Sequence, residues 1–211
     1  MGRASRKSGG SRKEWYRGAH RFEHWYRDRT VYLVTSRVRE GKHLFADDGA
    51  CEIFWGKFLQ YANAHGFEPW IASLLSNHYH FVGFLETGRE LGEMMRRLHG
   101  SVAWLVCKGL DVRHKPFWRD DHHRDYFDGC LRDRNQLVRS YRYVQRQAVR
   151  AGLVKDFREH SNTRVYKPLE ECLELASARD AYLPEVPYAR YEDKNRVRGG
   201  RRPEGGLPQL S

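Results

Sequence analysis

Between Thr30 and Val154 the spacing of apolar positions changes several times, and each change marks an element. Thr30 to Val38 alternates β-branched and polar residues, the two-residue period of a half-buried strand. Asp47-Asp48 then offers a helix cap, and Ile53, Phe54, Phe58 and Tyr61 recur at helical spacing until Gly66, which predicts a helix ending near His65. Phe67 to Leu75 and His78 to Leu85 are short apolar runs across a Leu75-Ser76-Asn77 joint, the pattern of two buried strands. Met94, Met95, Leu98, Val102 and Leu105 predict a second helix from Leu91 to about Lys108. Phe117 to Phe127 reads as a fourth strand interrupted by charge, and Arg134 to Ala151 as a further helix. The order β-α-β-β-α-β plus a final helix predicts an α+β fold, a ferredoxin-like sandwich with one added C-terminal helix. Residues 1–29 read as a basic arm carrying aromatics, 30–154 as the folded domain, and 155–211 as a C-terminal extension. Within that extension Leu169 to Ala178 suggests a short helix, and a Pro-, Gly- and Arg-rich tail follows from Tyr182.

The run Asn77-His78-Tyr79-His80-Phe81 carries candidate chemistry. Side chains alternate along a strand, so His78 and His80 leave one face while Tyr79 and Phe81 pack on the other. At about 3.3 Å per residue the two Cα atoms stand roughly 7 Å apart. That is close enough for both imidazoles to share one metal ion. Histidines on strands are more often hydrogen-bonded core or surface residues than ligands, so the pair needs a second signal.

The helix from Arg134 supplies it. Wound at about 100° per residue from Leu137, the helix brings Tyr141, Val144, Ala148 and Ala151 within roughly 40° of that residue, which makes this the core face. Tyr143 and Gln147 fall off that face, one turn apart, beside Arg139, Arg146 and Arg150. A phenol, an amide and guanidiniums on one stripe suit phosphate chemistry, although a solvated basic face is the commoner origin of such charges.

Composition narrows the partner. Lys and Arg number 38 against 27 Asp and Glu, a net charge of +11, which points to a polyanion such as nucleic acid and would equally suit a ribosomal protein. Cys51, Cys107, Cys130 and Cys172 are widely spaced, which argues against a zinc ribbon or a disulfide framework and for a reducing compartment. No apolar run approaches a membrane span and the first residues lack a signal-peptide core, so a soluble cytoplasmic protein without membrane partners is expected. Trp15-Tyr16-Arg17 and Trp25-Tyr26-Arg27 interleave aromatics with arginine, as single-strand binders do, or cap the core as a short helix. Asp120-Asp121-His122-His123 is a rival metal cluster, but neighbours on a strand face opposite ways; His20 and His24 have helical spacing only.

Two of these stretches carry a family resemblance. His78-Tyr79-His80 resembles the paired-histidine motif of the single-tyrosine HUH transposases, and Tyr143-Val-Gln-Arg-Gln147-Ala-Val-Arg-Ala-Gly-Leu-Val154 resembles their catalytic-tyrosine helix. The REP-associated tyrosine transposases, bacterial relatives, are the nearest subgroup; Gln147-Ala148 stands where their helix usually has Asn-Pro. Tyr32-Leu-Val-Thr-Ser-Arg37, Phe117-Trp118 and Tyr126 add smaller matches, and the likeness spans about Val31 to Val154.

The resemblance implies a transposase or strand transferase that cleaves and rejoins single-stranded DNA hairpins. In that reading His78, His80 and Gln147 hold one divalent cation, Mg or Mn, and Tyr143 is the nucleophile that forms a 5′-phosphotyrosine. The covalent intermediate conserves bond energy, so no nucleotide cofactor is needed. Arg37, Arg139, Arg146, Arg150, Trp15, Arg17, Trp25 and Arg27 are the DNA-binding candidates. Monomer and homodimer both stay open, and a nucleoid-associated location in the cytoplasm follows. Three rivals share the same residues: an inactive, domesticated hairpin-binding module, a nuclease that uses water, and an RNA-binding accessory protein.

Overall fold

The computed structural model describes residues 26–119 and 125–182. Its order is β1 (Thr30–Arg37), α1 (Asp48–Ala64), β2 (Phe67–Leu75), β3 (His78–Leu85), α2 (Glu90–Gly109), β4 (Phe127–Cys130), α3 (Arg134–Gln145), α4 (Gln147–Arg150), β5 (Thr163–Val165) and α5 (Leu169–Ala178). The strands form one sheet, β4-β1-β3-β2-β5, in which all neighbours are antiparallel. β3 therefore lies between β1 and β2, and α1 makes the crossover joining those two strands. The architecture is α+β with a five-stranded antiparallel sheet.

The sheet is buried on both faces. Tyr32, Val34, Tyr79, Phe81 and Leu85 pack against Phe54 and Phe58 of α1 and Met95, Leu98 and Val102 of α2. Val31, Val82, Phe84 and Ile71 pack on the other face against Leu137, Tyr141 and Val144 of α3 and Cys172, Leu173 and Ala176 of α5. Local chemistry agrees with this layering. Asp47 caps α1 by accepting from the Ala50 N–H at 2.8 Å, and Asp133 caps α3 by accepting from the Gln136 N–H at 2.8 Å. Gly66, at φ +66°, takes the left-handed turn that ends α1.

Three features depart from the sequence pattern. The fourth strand is Phe127–Cys130, not Phe117 to Phe127. Phe117 and Trp118 are both buried, and consecutive residues of a strand cannot both face one core, so this stretch meets the sheet through a single Val38–Trp118 bridge. The helix expected to run unbroken to Ala151 is interrupted at Arg146, whose φ −94° and ψ 6° lie off helical values. Packing also continues past Val154, because β5 pairs with β2 and α5 closes the face that α3 covers in part. No helix of the described residues is long and apolar enough to cross a membrane.

Candidate active site

The alternation of β3 sends Tyr79 and Phe81 toward α1 and α2, and His78 and His80 toward α3, with ring centroids of the two histidines 5.0 Å apart and their planes at 83°. Thr35 of β1 lies directly across from His80, and its Oγ1 is hydrogen-bonded to His80 Nδ1 at 2.7 Å. The His78 Nδ1–H donates to Asn77 Oδ1 at 2.6 Å. Each ring thus has Nδ1 held, the arrangement that orients an imidazole for ligation through Nε2.

Burial pushes His80 down to about 3, helped by the charges of His78 and Arg37. Burial also pushes His78 down to about 4, helped by Arg37 and opposed by its hydrogen bonding to the Gln147 side chain. Both rings are neutral at physiological pH, so both keep a lone pair. His80 Nε2 is buried and has no hydrogen-bond partner among the described residues. A buried imidazole nitrogen left unpaired costs free energy unless something coordinates it.

α3 delivers the phenol. Leu137, Tyr141 and Val144 seat the helix on the sheet, and Tyr143, two residues from Tyr141, turns its ring toward the strand end instead. The Tyr143 and His80 ring centroids are 5.0 Å apart at 78°, with Tyr143 still 38% exposed. Gln147, just past the helix break, is buried; its Nε2 donates to the Tyr143 carbonyl at 3.1 Å and its side chain reaches His78. The Arg150 guanidinium lies 5.6 Å from the Tyr143 ring centroid.

His78, His80, Tyr143 and Gln147 therefore lie together, with Arg150 over the Tyr143 ring, and Arg37, opposite His78 in β1, lies close enough for its charge to act on both histidines. Arg139 and Arg146 are exposed on α3 and its C-cap. Arg27 sits beyond the other end of β1, roughly 23 Å of strand from Arg37. There its backbone N–H and carbonyl both bond the Tyr32 hydroxyl at 2.7 Å, a packing role. Trp15, Arg17, Trp25, His20, His24 and the Asp120–His123 cluster lie outside the described residues.

The donor set can be tested for a cation. Among the described residues no group of three or more His, Cys, Asp and Glu is placed to hold an ion. Two neutral imidazoles, one with an orphaned nitrogen, and a neighbouring amide oxygen nevertheless fit a divalent ion that keeps positions open for other oxygen ligands. Imidazole is a better ligand for Zn, Cu, Fe or Ni than for Mg, which favours oxygen ligands.

No family model matches the chain, and no curated protein matches it. Among solved structures, a REP-associated tyrosine transposase bound to a REP hairpin is similar, with a TM-score of 0.55 and 13% identity over 76% of this chain and 87% of that one. The chain shares the fold of that transposase. At this identity the likeness is one of fold, and the chemistry must be argued from the residues.

Thr35 and Asn77 are the site residues that motif reading missed. Asn77 stood beside the first histidine in the sequence without an assigned role. Thr35 could be found only from the β1–β3 register.

Proposed function

We propose that this protein is a metal-dependent single-stranded DNA strand transferase of the single-tyrosine HUH type, built on a ferredoxin-like core. The observation that carries the reading is Tyr143, whose ring stands 5.0 Å from that of His80 while remaining open to solvent. The strand order β4-β1-β3-β2 supports the core assignment, and the hairpin bound by the structurally similar transposase supports the substrate class.

His78, His80 and Gln147 would hold the cation, and Thr35 and Asn77 would keep the two rings oriented. A bound divalent ion supplies Lewis-acid polarisation of the scissile phosphate. Tyr143 Oη attacks phosphorus; the new Oη–P bond replaces the P–O3′ bond, and the phenolic proton balances the 3′ hydroxyl released. The Arg150 guanidinium, lying over the Tyr143 ring, would offset negative charge that develops during attack. Attack by a 3′ hydroxyl on the phosphotyrosine reverses the sequence and joins a strand. DNA as the substrate is consistent with a cytoplasmic, nucleoid-associated protein.

The test is an adduct assay with 5′- and 3′-labelled single-stranded hairpin DNA and Mn. A denaturation-resistant adduct on the downstream fragment is expected, abolished by EDTA and reduced by at least about 1,000-fold in Tyr143→Phe, with DNA affinity nearly unchanged. Cleavage without an adduct would replace transesterification by hydrolysis. Binding with neither cleavage nor adduct would make the protein a hairpin-binding module.

A further inference from the structure

Beside the histidine pair, at the same end of the sheet, lies an open cavity of about 670 Å³ lined by Arg37, Arg39, Glu40, Gly41, Pro116 and Arg119. Its size falls within the range of ligand sites. Three arginines and one glutamate line it, so guanidinium groups dominate its charged lining. Among the described residues no carboxylate pairs with Arg37; Arg39 has an exposed partner in Glu40 at 3.5 Å. An anionic guest would meet the arginines on a braced backbone. The Arg119 N–H donates to the Arg37 carbonyl at 2.8 Å, the Arg39 N–H donates to the Phe117 carbonyl at 2.9 Å, and Val38, Phe117 and Trp118 are buried beneath.

The cavity is coupled to the candidate active site in two ways. Arg37 projects from β1 on the face shared with Thr35, His78 and His80, so it belongs to both. Asn77 spans the wall between them: its Oδ1 accepts from His78 Nδ1, and its Nδ2 donates to the Gly41 carbonyl at 3.1 Å. That wall is tightly turned, with Glu40 at φ 58° and Gly41 at φ +66°. An anion in the cavity therefore lies next to whatever the histidines and Tyr143 hold.

We propose that this arginine-lined cavity is a second phosphate subsite, which grips a non-scissile phosphodiester of the same DNA strand and sets the register of the scissile one. The proposal rests on the strand-transfer reading of the neighbouring site and adds to it a substrate contact made away from the reacting atoms. Arg39 and Arg119 are its diagnostic residues, because Arg37 also acts on the histidines.

The experiment measures binding of a single-stranded hairpin oligonucleotide by fluorescence anisotropy across a salt series, for the full chain and for Arg39→Gln/Arg119→Gln, with Arg39→Lys/Arg119→Lys as the charge-retaining control. Each phosphate contact to a single strand contributes about 0.7 to the slope of log K against log salt. The expected result is about tenfold weaker binding and a slope shallower by about 0.7 in the Gln variant, with the Lys variant near wild type. Adduct still forms at saturating DNA, but at linkages shifted from the wild-type position. A methylphosphonate at one non-scissile linkage weakens wild-type binding to the same extent and does not weaken the Gln variant further. Unchanged affinity and slope in the Gln variant, with adduct still formed, would overturn the subsite and leave the strand-transfer reading standing. Arginine-dependent binding without any adduct from the wild type would do the reverse.

Discussion

The two histidines work through what they are denied. His80 is almost wholly buried and His78 partly so, and Arg37 adds positive charge beside them, so neither ring accepts a proton near neutrality. This has a consequence for stability. Above about pH 6.5 both rings are neutral whether the chain is folded or not, and they contribute no pH dependence. Below it the unfolded chain takes up protons that the folded one refuses, so stability is lost as pH falls from about 6.5 through about 4 to about 3. Urea midpoints measured in EDTA between pH 7.5 and 5 should fall for the wild type and stay flatter for His78→Gln/His80→Gln. Parallel curves would show that burial does not disfavour the charged imidazoles.

At the scale of elements, the site depends on how closely β2 and β3 run together. A Cβ at Gly83 would lie 2.5 Å from the Glu68 carbonyl oxygen and 2.4 Å from the Phe67 ring, closer than any side chain tolerates. Gly83→Ala should therefore destabilise the domain by about 1–3 kcal/mol through overpacking, read from denaturant midpoints. Gly56→Ala, where nothing lies within 4 Å, provides the control and should be neutral or slightly stabilising. The break between α3 and α4 is a second device at this scale. It lets Ala148 stay buried while Gln147 bonds back to the Tyr143 carbonyl and its side chain reaches His78. Sequence periodicity placed Tyr143 and Gln147 on one stripe, but could not show the interruption, because Arg146 carries no helix-breaking signal.

At the scale of the whole molecule, residues 155–182 act as part of the body. α5 covers Val31, Trp70 and Ile71 with Cys172, Leu173 and Ala176, and the Tyr141 hydroxyl donates to the Lys167 carbonyl at 2.7 Å, tying the tyrosine helix to the strand–helix joint. Arg179 pairs with Glu68 at 2.5 Å across the same seam. A chain ended at residue 154 should lose at least about 10 °C of thermal stability, because it exposes that apolar face, and should bind hydrophobic dyes. Retention of the full melting temperature would remove α5 from the folding unit.

Much of this was legible in residue order alone. Alternation along Asn77 to Phe84 put both histidines on one face, helical spacing separated Tyr143 from its packing neighbours, and Asp47 and Gly66 marked helix ends through local hydrogen bonds and backbone preference. These are short-range effects, carried by a residue and its next few neighbours. Strand pairing is not. Only the tertiary structure set Thr35 against His80, joined Arg37, Arg39 and Arg119 around one cavity, made Asn77 a bridge between that cavity and His78, and folded α5 onto the sheet. Each of these contacts joins segments that are far apart in the chain, where register and packing decide position and no local pattern records the outcome.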